Sequence, residues 1–185
     1  MKRLLFVALA FGLLVGCSND TNELSEKAEK ETVELQENIE KEKENKLKEV
    51  EKVYIGVLES SISVFQDNVD GIRENFVKAE ESPIMWIEGD WRMEQKSYFE
   101  NIALELENLK QLENENAVPE GYEEIHSILI DAFEKNIEAG DILFGGEFSL
   151  SSVMDNEKLE SGAILFSDSL IRLAEVNEKL KLKQN

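Results

Sequence analysis

Four stretches of this chain place apolar residues three and four positions apart, and that spacing constrains the fold more than any other feature. The first runs Val50, Val53, Tyr54, Val57, Ser61, Val64, Phe65, Asn68, Val69, Ile72, Phe76. Side chains at those intervals fall on one face of a 3.6-residue helix, so a helix is expected from about 48 to 79. Gly71 lies inside it and should weaken it without ending it. Ala79-Glu80-Glu81-Ser82 is the expected turn. The second stripe is Ile84, Ile87, Trp91, Tyr98, Ile102, Leu106, Leu109, Leu112. Ser82-Pro83 reads as a helix cap followed by a proline at the first helical position. Because the stripe begins before Gly89, one long helix from Pro83 is expected, with a start at Asp90 as the alternative.

Asn114 to Pro119 is the next loop, and a third stripe follows: Tyr122, Ile125, Leu129, Ala132, Phe133, Asn136, Ala139, Leu143. Gly145-Gly146 should stop that helix. A Ser-rich connection from Glu147 to Asp155 leads to a last helix, about 156 to 181, with Leu159, Ala163, Phe166, Leu170, Leu173, Val176 and Leu180 inward. Lys179, Lys181 and Lys183 end it, where the helix dipole favours cations. Only 2 prolines and no alternating strand pattern interrupt this reading. The expected fold is all-α: an up-down antiparallel four-helix bundle, residues 50–185, preceded by a charged helical stalk.

The stalk, 23–49, is rich in Glu and Lys and has no Gly or Pro. Glu23–Lys27, Glu26–Lys30, Glu37–Lys41, Glu42–Lys46 and Glu44–Lys48 each set an acid four residues before a base. Each such pair adds about 0.2–0.5 kcal/mol to a helix. Leu24, Ala28, Leu35 and Ile39 form a thin apolar stripe that lapses before Leu47. A solvated spacer of roughly 40 Å is expected, with a coiled-coil seam as the competing reading.

Charge narrows the function classes. With 20 Lys+Arg against 40 Asp+Glu the formal charge is −20, which repels nucleic acid and anionic headgroups, so no nucleic-acid partner is expected. No nucleotide loop, nucleophile elbow, HExxH, CxxC or EF-hand pattern is present. No catalytic residue, cofactor or metal is expected, and the chain reads as non-enzymatic. Glu123-x-x-His126 has the spacing used by di-iron helical bundles, but it occurs once, where those proteins need two copies and further inward carboxylates. His126 is instead expected half-buried on a helix flank. Pairs such as Glu80/Glu81, Glu88/Asp90 and Glu123/Glu124 read as solvated faces.

At the amino end, Lys2 and Arg3 precede an apolar run from Leu4 to Val15. It is too short to span a bilayer core of about 30 Å and has the form of a signal peptide, residues 1–16. Leu14-Val15-Gly16-Cys17 resembles the lipobox of bacterial lipoproteins. The resemblance implies cleavage between Gly16 and Cys17 and a diacylglycerol on the Cys17 thiol; the short polar run after it reads as a flexible tether, 17–22. Together with the spacer, the Trp91-to-Tyr98 spacing and Pro119-x-Gly121-Tyr122, it is similar to small helical lipoproteins of low-GC Gram-positive bacteria. That likeness implies a membrane partner through the lipid, an extracytoplasmic location and a helical fold, and carries no activity with it. Cys17 is the only cysteine, so a lipidated chain has no thiol left for a disulfide.

The most unusual stretch is Ile84 to Met93, which holds both tryptophans and two of the 4 methionines. In an up-down bundle the first and third loops share one end. Met85, Trp86, Phe148 and Met154 are therefore expected to gather there, ringed by Glu80, Glu88 and Glu147, as a surface for a protein partner. Trp91 and Ile87, on the stripe, are expected in the core. A phage or surface exclusion factor, or less readily a metal-binding helical protein using His126, is the alternative function.

Overall fold

The computed structural model describes residues 21–144 and 156–184. Those residues form four helices: α1 (Thr21–Glu81), α2 (Gly89–Asn114), α3 (Glu123–Phe144) and α4 (Asn156–Gln184). A short 3₁₀ turn, Pro83–Ile87, stands between α1 and α2. No strand occurs among the described residues, and none of their helices is long and apolar enough to cross a membrane. The expected all-α bundle is what the chain forms. Gly16, Cys17, Phe148 and Met154 lie outside the described residues.

The chain divides into two units between Leu47 and Lys48. In the first, residues 21–47 are helical, and every side chain from 33 to 47 is exposed. Glu42 and Lys46 form one of the expected ion pairs, at 2.8 Å.

In the second unit the helices alternate in direction. Ser61 of α1 donates to Glu105 of α2, and Asn101 Nδ2 donates to Asn68 Oδ1 at 3.1 Å, so α1 and α2 run antiparallel. Lys179–Glu124 at 2.9 Å and Arg172–Asp131 at 3.0 Å set α4 antiparallel to α3. Tyr54 meets Tyr122 at 5.5 Å, Phe65 meets Phe133 at 4.8 Å and Phe76 meets Phe144 at 6.0 Å, so α1 and α3 run parallel. Phe65, Phe133, Ile72, Leu129, Leu109 and Val176 are fully enclosed at the centre of this core.

One polar line accompanies that core. Tyr54, Ser61, Asn68 and Asn75 recur every seven residues on α1, and all four are buried. Their bonds to His126, Glu105 and Asn101 form only when the helices are in register. Buried polar pairs of this kind penalise a slipped alignment, because each slipped group stays unbonded at a cost of about 1–3 kcal/mol.

Three expectations need correction. Val50 and Val53 are exposed rather than core. The α2–α3 loop reaches α1 at Tyr54, through Tyr122, so Val50 and Val53 precede the point where α1 gains neighbours. Leu58 and Ile62 take the vacant core positions. Second, the long helix from Pro83 does not form. Ser82 makes no side-chain cap, the 3₁₀ turn ends at Ile87, and extended Glu88 (ψ 125°) lets α2 start afresh at Gly89. The repeat of three in a 3₁₀ turn eclipses positions 84 and 87, so Ile84 and Ile87 share one side. That side faces solvent, at 57% and 40% exposed, while Trp86 turns inward. Third, Ala163 on the α4 stripe is exposed, whereas Gly162 is buried. A Cβ on Gly162 would lie 2.6 Å from Leu143, so α3 and α4 meet closely at that glycine.

The α2–α3 loop is built by local rules. Ala117 N–H bonds to the Leu112 carbonyl at 2.9 Å and Asn116 N–H to that of Glu113 at 3.0 Å, with Asn116 at φ 53°. This is a Schellman closure with asparagine in the left-handed position. Gly121 turns the chain at φ 82°. Its N–H donates to Glu123 Oε2, and its carbonyl accepts from Lys183 Nζ, both at 2.7 Å. Lys183 also lies over the Tyr122 ring at 4.2 Å, so the terminal lysines of α4 pin this loop as well as meeting a helix dipole.

Candidate functional site

At the end of the bundle opposite Lys48, five aromatic rings converge from three helices and the 3₁₀ turn. Trp86 stacks on Phe144 at 6.3 Å with planes 8° apart, and lies 5.5 Å from Phe76. Trp91 meets Trp86 edge-on at 5.1 Å and Phe144 at 5.9 Å. Phe99 closes the set, 5.7 Å from Phe144. Offset and edge-to-face pairs at these distances add about 0.5–1.5 kcal/mol each beyond area burial. The cluster therefore fixes the 3₁₀ turn firmly to the bundle.

Each ring gets there by a local cause. Phe76, in the last two turns of α1, stands level with Phe144 on α3, a helix that runs parallel to it. Trp91 belongs to the first turn of α2 and is buried, as its stripe position implies. Trp86 arrives only because the chain is extended at Glu88 between two helical pieces. Met85 and Trp86 are half-buried. Of the four residues expected to form a partner surface, the described two do stand at this end. Ile84 and Ile87, read from the sequence as core, join them on the outside.

Behind the rings the packing is polar and unpaired. Gln95, one turn along α2 from Trp91, is fully buried with neither amide atom hydrogen-bonded. Trp91 Nε1 and Asn75 Nδ2 also lack partners. Unbonded buried groups cost about 1–3 kcal/mol apiece, so these atoms oppose part of the stabilisation that the rings supply. Sequence periodicity missed Gln95 because its polarity hides it. The spacing 91, 95, 99, 102, 106, 109 was available as the signal.

The Glu123/His126 pair is not a site. Glu123 is exposed and accepts the Gly121 N–H, while His126 is only 2% exposed, with its Nδ1 2.7 Å from the Tyr54 hydroxyl. His126 is thus deeply buried, not half-buried, because Tyr54 and Leu109 cover it from neighbouring helices. Burial, with help from Glu123 and Tyr122, pushes the Tyr54 hydroxyl far above its usual range, so it stays protonated, and which of the two groups donates follows from the imidazole tautomer. Burial likewise holds the imidazole below its ordinary 6.5, opposed by Glu113 and the Leu109 carbonyl. Nε2 makes no hydrogen bond of normal geometry. Among the described residues no three His, Cys, Asp or Glu side chains converge as a metal site would require.

No family model matches the chain, and neither does any curated protein or solved structure.

Proposed function

We propose that this chain is a lipoprotein of the low-GC Gram-positive type, held at the extracytoplasmic face of the cell membrane by a diacylglycerol on Cys17. In this reading it is a non-catalytic binding or adaptor module that meets a protein partner with the Pro83–Ile87 end of its bundle. The address is supported by Leu14-Val15-Gly16-Cys17 behind a basic, apolar leader. The observation that carries the binding role is the 3₁₀ turn, which turns Ile84 and Ile87 outward from a rigid aromatic base. Large apolar side chains fixed on a firm scaffold are what interface anchors require. Glu80, Glu81, Glu88 and Asp90 are exposed around them, which suits a partner with an apolar contact and a basic rim. The turn also stands at the end of the bundle away from Lys48, the residue through which the chain leads back to Cys17.

The test uses the intact lipoprotein in its own membrane with a photocrosslinker at position 88, exposed beside the turn. The double variant Ile84→Glu/Ile87→Glu should keep its helical circular dichroism and lose the crosslinked partner. Ile164→Glu, at an exposed position on α4, should keep it. Equal capture by the folded double variant would sink the reading. Cys17→Ser should release the protein from the membrane fraction, and unchanged retention would sink the address.

A further inference from the structure

A second feature of the same end is a pocket of about 400 Å³ between α1, α3, α4 and the 3₁₀ turn. Phe76, Trp86, Phe166 and Leu170 face it, and all four are only half-buried. Its size falls within the roughly 300–1,000 Å³ of small-ligand sites, and its walls are mainly aromatic and aliphatic, as such sites are. Arg73 and Glu80 stand at its mouth.

Arg73 decides the ligand's charge. It is exposed and forms no ion pair or hydrogen bond among the described residues, in a chain with twice as many acids as bases. Arg172, by contrast, holds both Asp131 and Glu175 at 3.0 Å. A guanidinium beside an apolar cavity offers a fork of N–H donors to a carboxylate. Glu80 lies two turns further along α1, roughly 10 Å away, and repels an anion from the Trp86 end. The two charges therefore orient a ligand with its head at Arg73.

We propose that this pocket binds a small anionic amphiphile: one carboxylate or similar anion on an apolar chain or ring. The head pairs with Arg73, and the body lies against Phe76, Trp86 and Phe166. This inference does not depend on the protein-partner reading, although Trp86 serves both.

The test titrates the full-length protein with decanoate, decanol and decyltrimethylammonium, each below its aggregation threshold, by calorimetry and by emission of the two tryptophans. Decanoate should give a saturable response and bind tightest. Arg73→Gln should weaken decanoate about ten- to a hundredfold, the worth of a charge-assisted hydrogen bond, and leave decanol unchanged. Ala163→Phe, which fills the pocket from an exposed helical position, should abolish both. No saturable response to decanoate, equal affinity for decanol or the cation, or indifference to Arg73→Gln would overturn the proposal. Ile84→Glu/Ile87→Glu should still bind decanoate, so loss of the partner and loss of the amphiphile are separable results.

Discussion

Lowering the pH from about 7.5 to about 5.5 should cost the bundle stability through one side chain, His126. The imidazole is 2% exposed, and burial holds its pKa below the ordinary 6.5 that it regains on unfolding. Between those two values the unfolded chain binds a proton that the folded chain does not. Stability from the neutral ring is therefore complete above about pH 6.5 and is lost as pH falls toward the folded-state value. The slope cannot exceed about 1.4 kcal/mol per pH unit, so one unit below 6.5 the loss is at most about 1.4 kcal/mol. Protonation makes both ring nitrogens donors, so Nδ1 must then donate to the Tyr54 hydroxyl 2.7 Å away. Partial protonation of the 40 carboxylates relieves self-repulsion in a chain of charge −20 and acts in the opposite sense. A histidine-free reference, His126→Gln, removes that contribution by subtraction. Urea unfolding followed by helical circular dichroism at both pH values should show wild type losing more stability than the variant, by no more than about 1.4 kcal/mol. Because His126 is the only histidine, its ring protons can be titrated directly by NMR in the native protein. Their midpoint should fall below 6.5. Parallel stability curves together with a midpoint at or above 6.5 would refute the assignment of a buried neutral imidazole.

Two glycines should respond to alanine with opposite signs. A Cβ on Gly140 would lie 2.5 Å from the ring of buried Phe99, so Gly140→Ala should destabilise by about 1–2 kcal/mol despite better helix propensity. Gly56, with nothing within 4 Å, should gain up to about 1 kcal/mol on the same change; denaturant midpoints measure both. Phe133→Ala, at the centre of the core against Phe65, should cost about 3–5 kcal/mol by the same assay. A cost under about 1 kcal/mol would mean the core is centred elsewhere.

Alone, the sequence determined the helices and much of what they bury. On α3 every residue of the expected stripe, Tyr122 to Leu143, is buried, because that helix lies among the others along its whole length. The overall charge, the loop from Asn114 to Pro119 and the order of the helices were equally legible, since each depends on residues close together in the chain. The lipobox resemblance was legible too and lies outside the described residues.

What only the tertiary structure decided depends on contacts between distant positions. Val50 and Val53 carry the right period but stand where α1 has no neighbour. His126 does follow the helical period, three residues before Leu129 and seven before Phe133, but its polarity hid that position, and its hydroxyl partner Tyr54 stands 72 positions away. The largest departure is at Glu88. A continuous helix from Pro83 would keep Ile84 and Ile87 on the Trp91 stripe. Instead, Phe76 and Phe144, meeting between α1 and α3, give Trp86 a better surface than solvent does. The chain breaks to use it, and the same break turns the two isoleucines outward. Local periodicity fixes which residues can share a face, but the lengths and ends of neighbouring helices fix which face is covered.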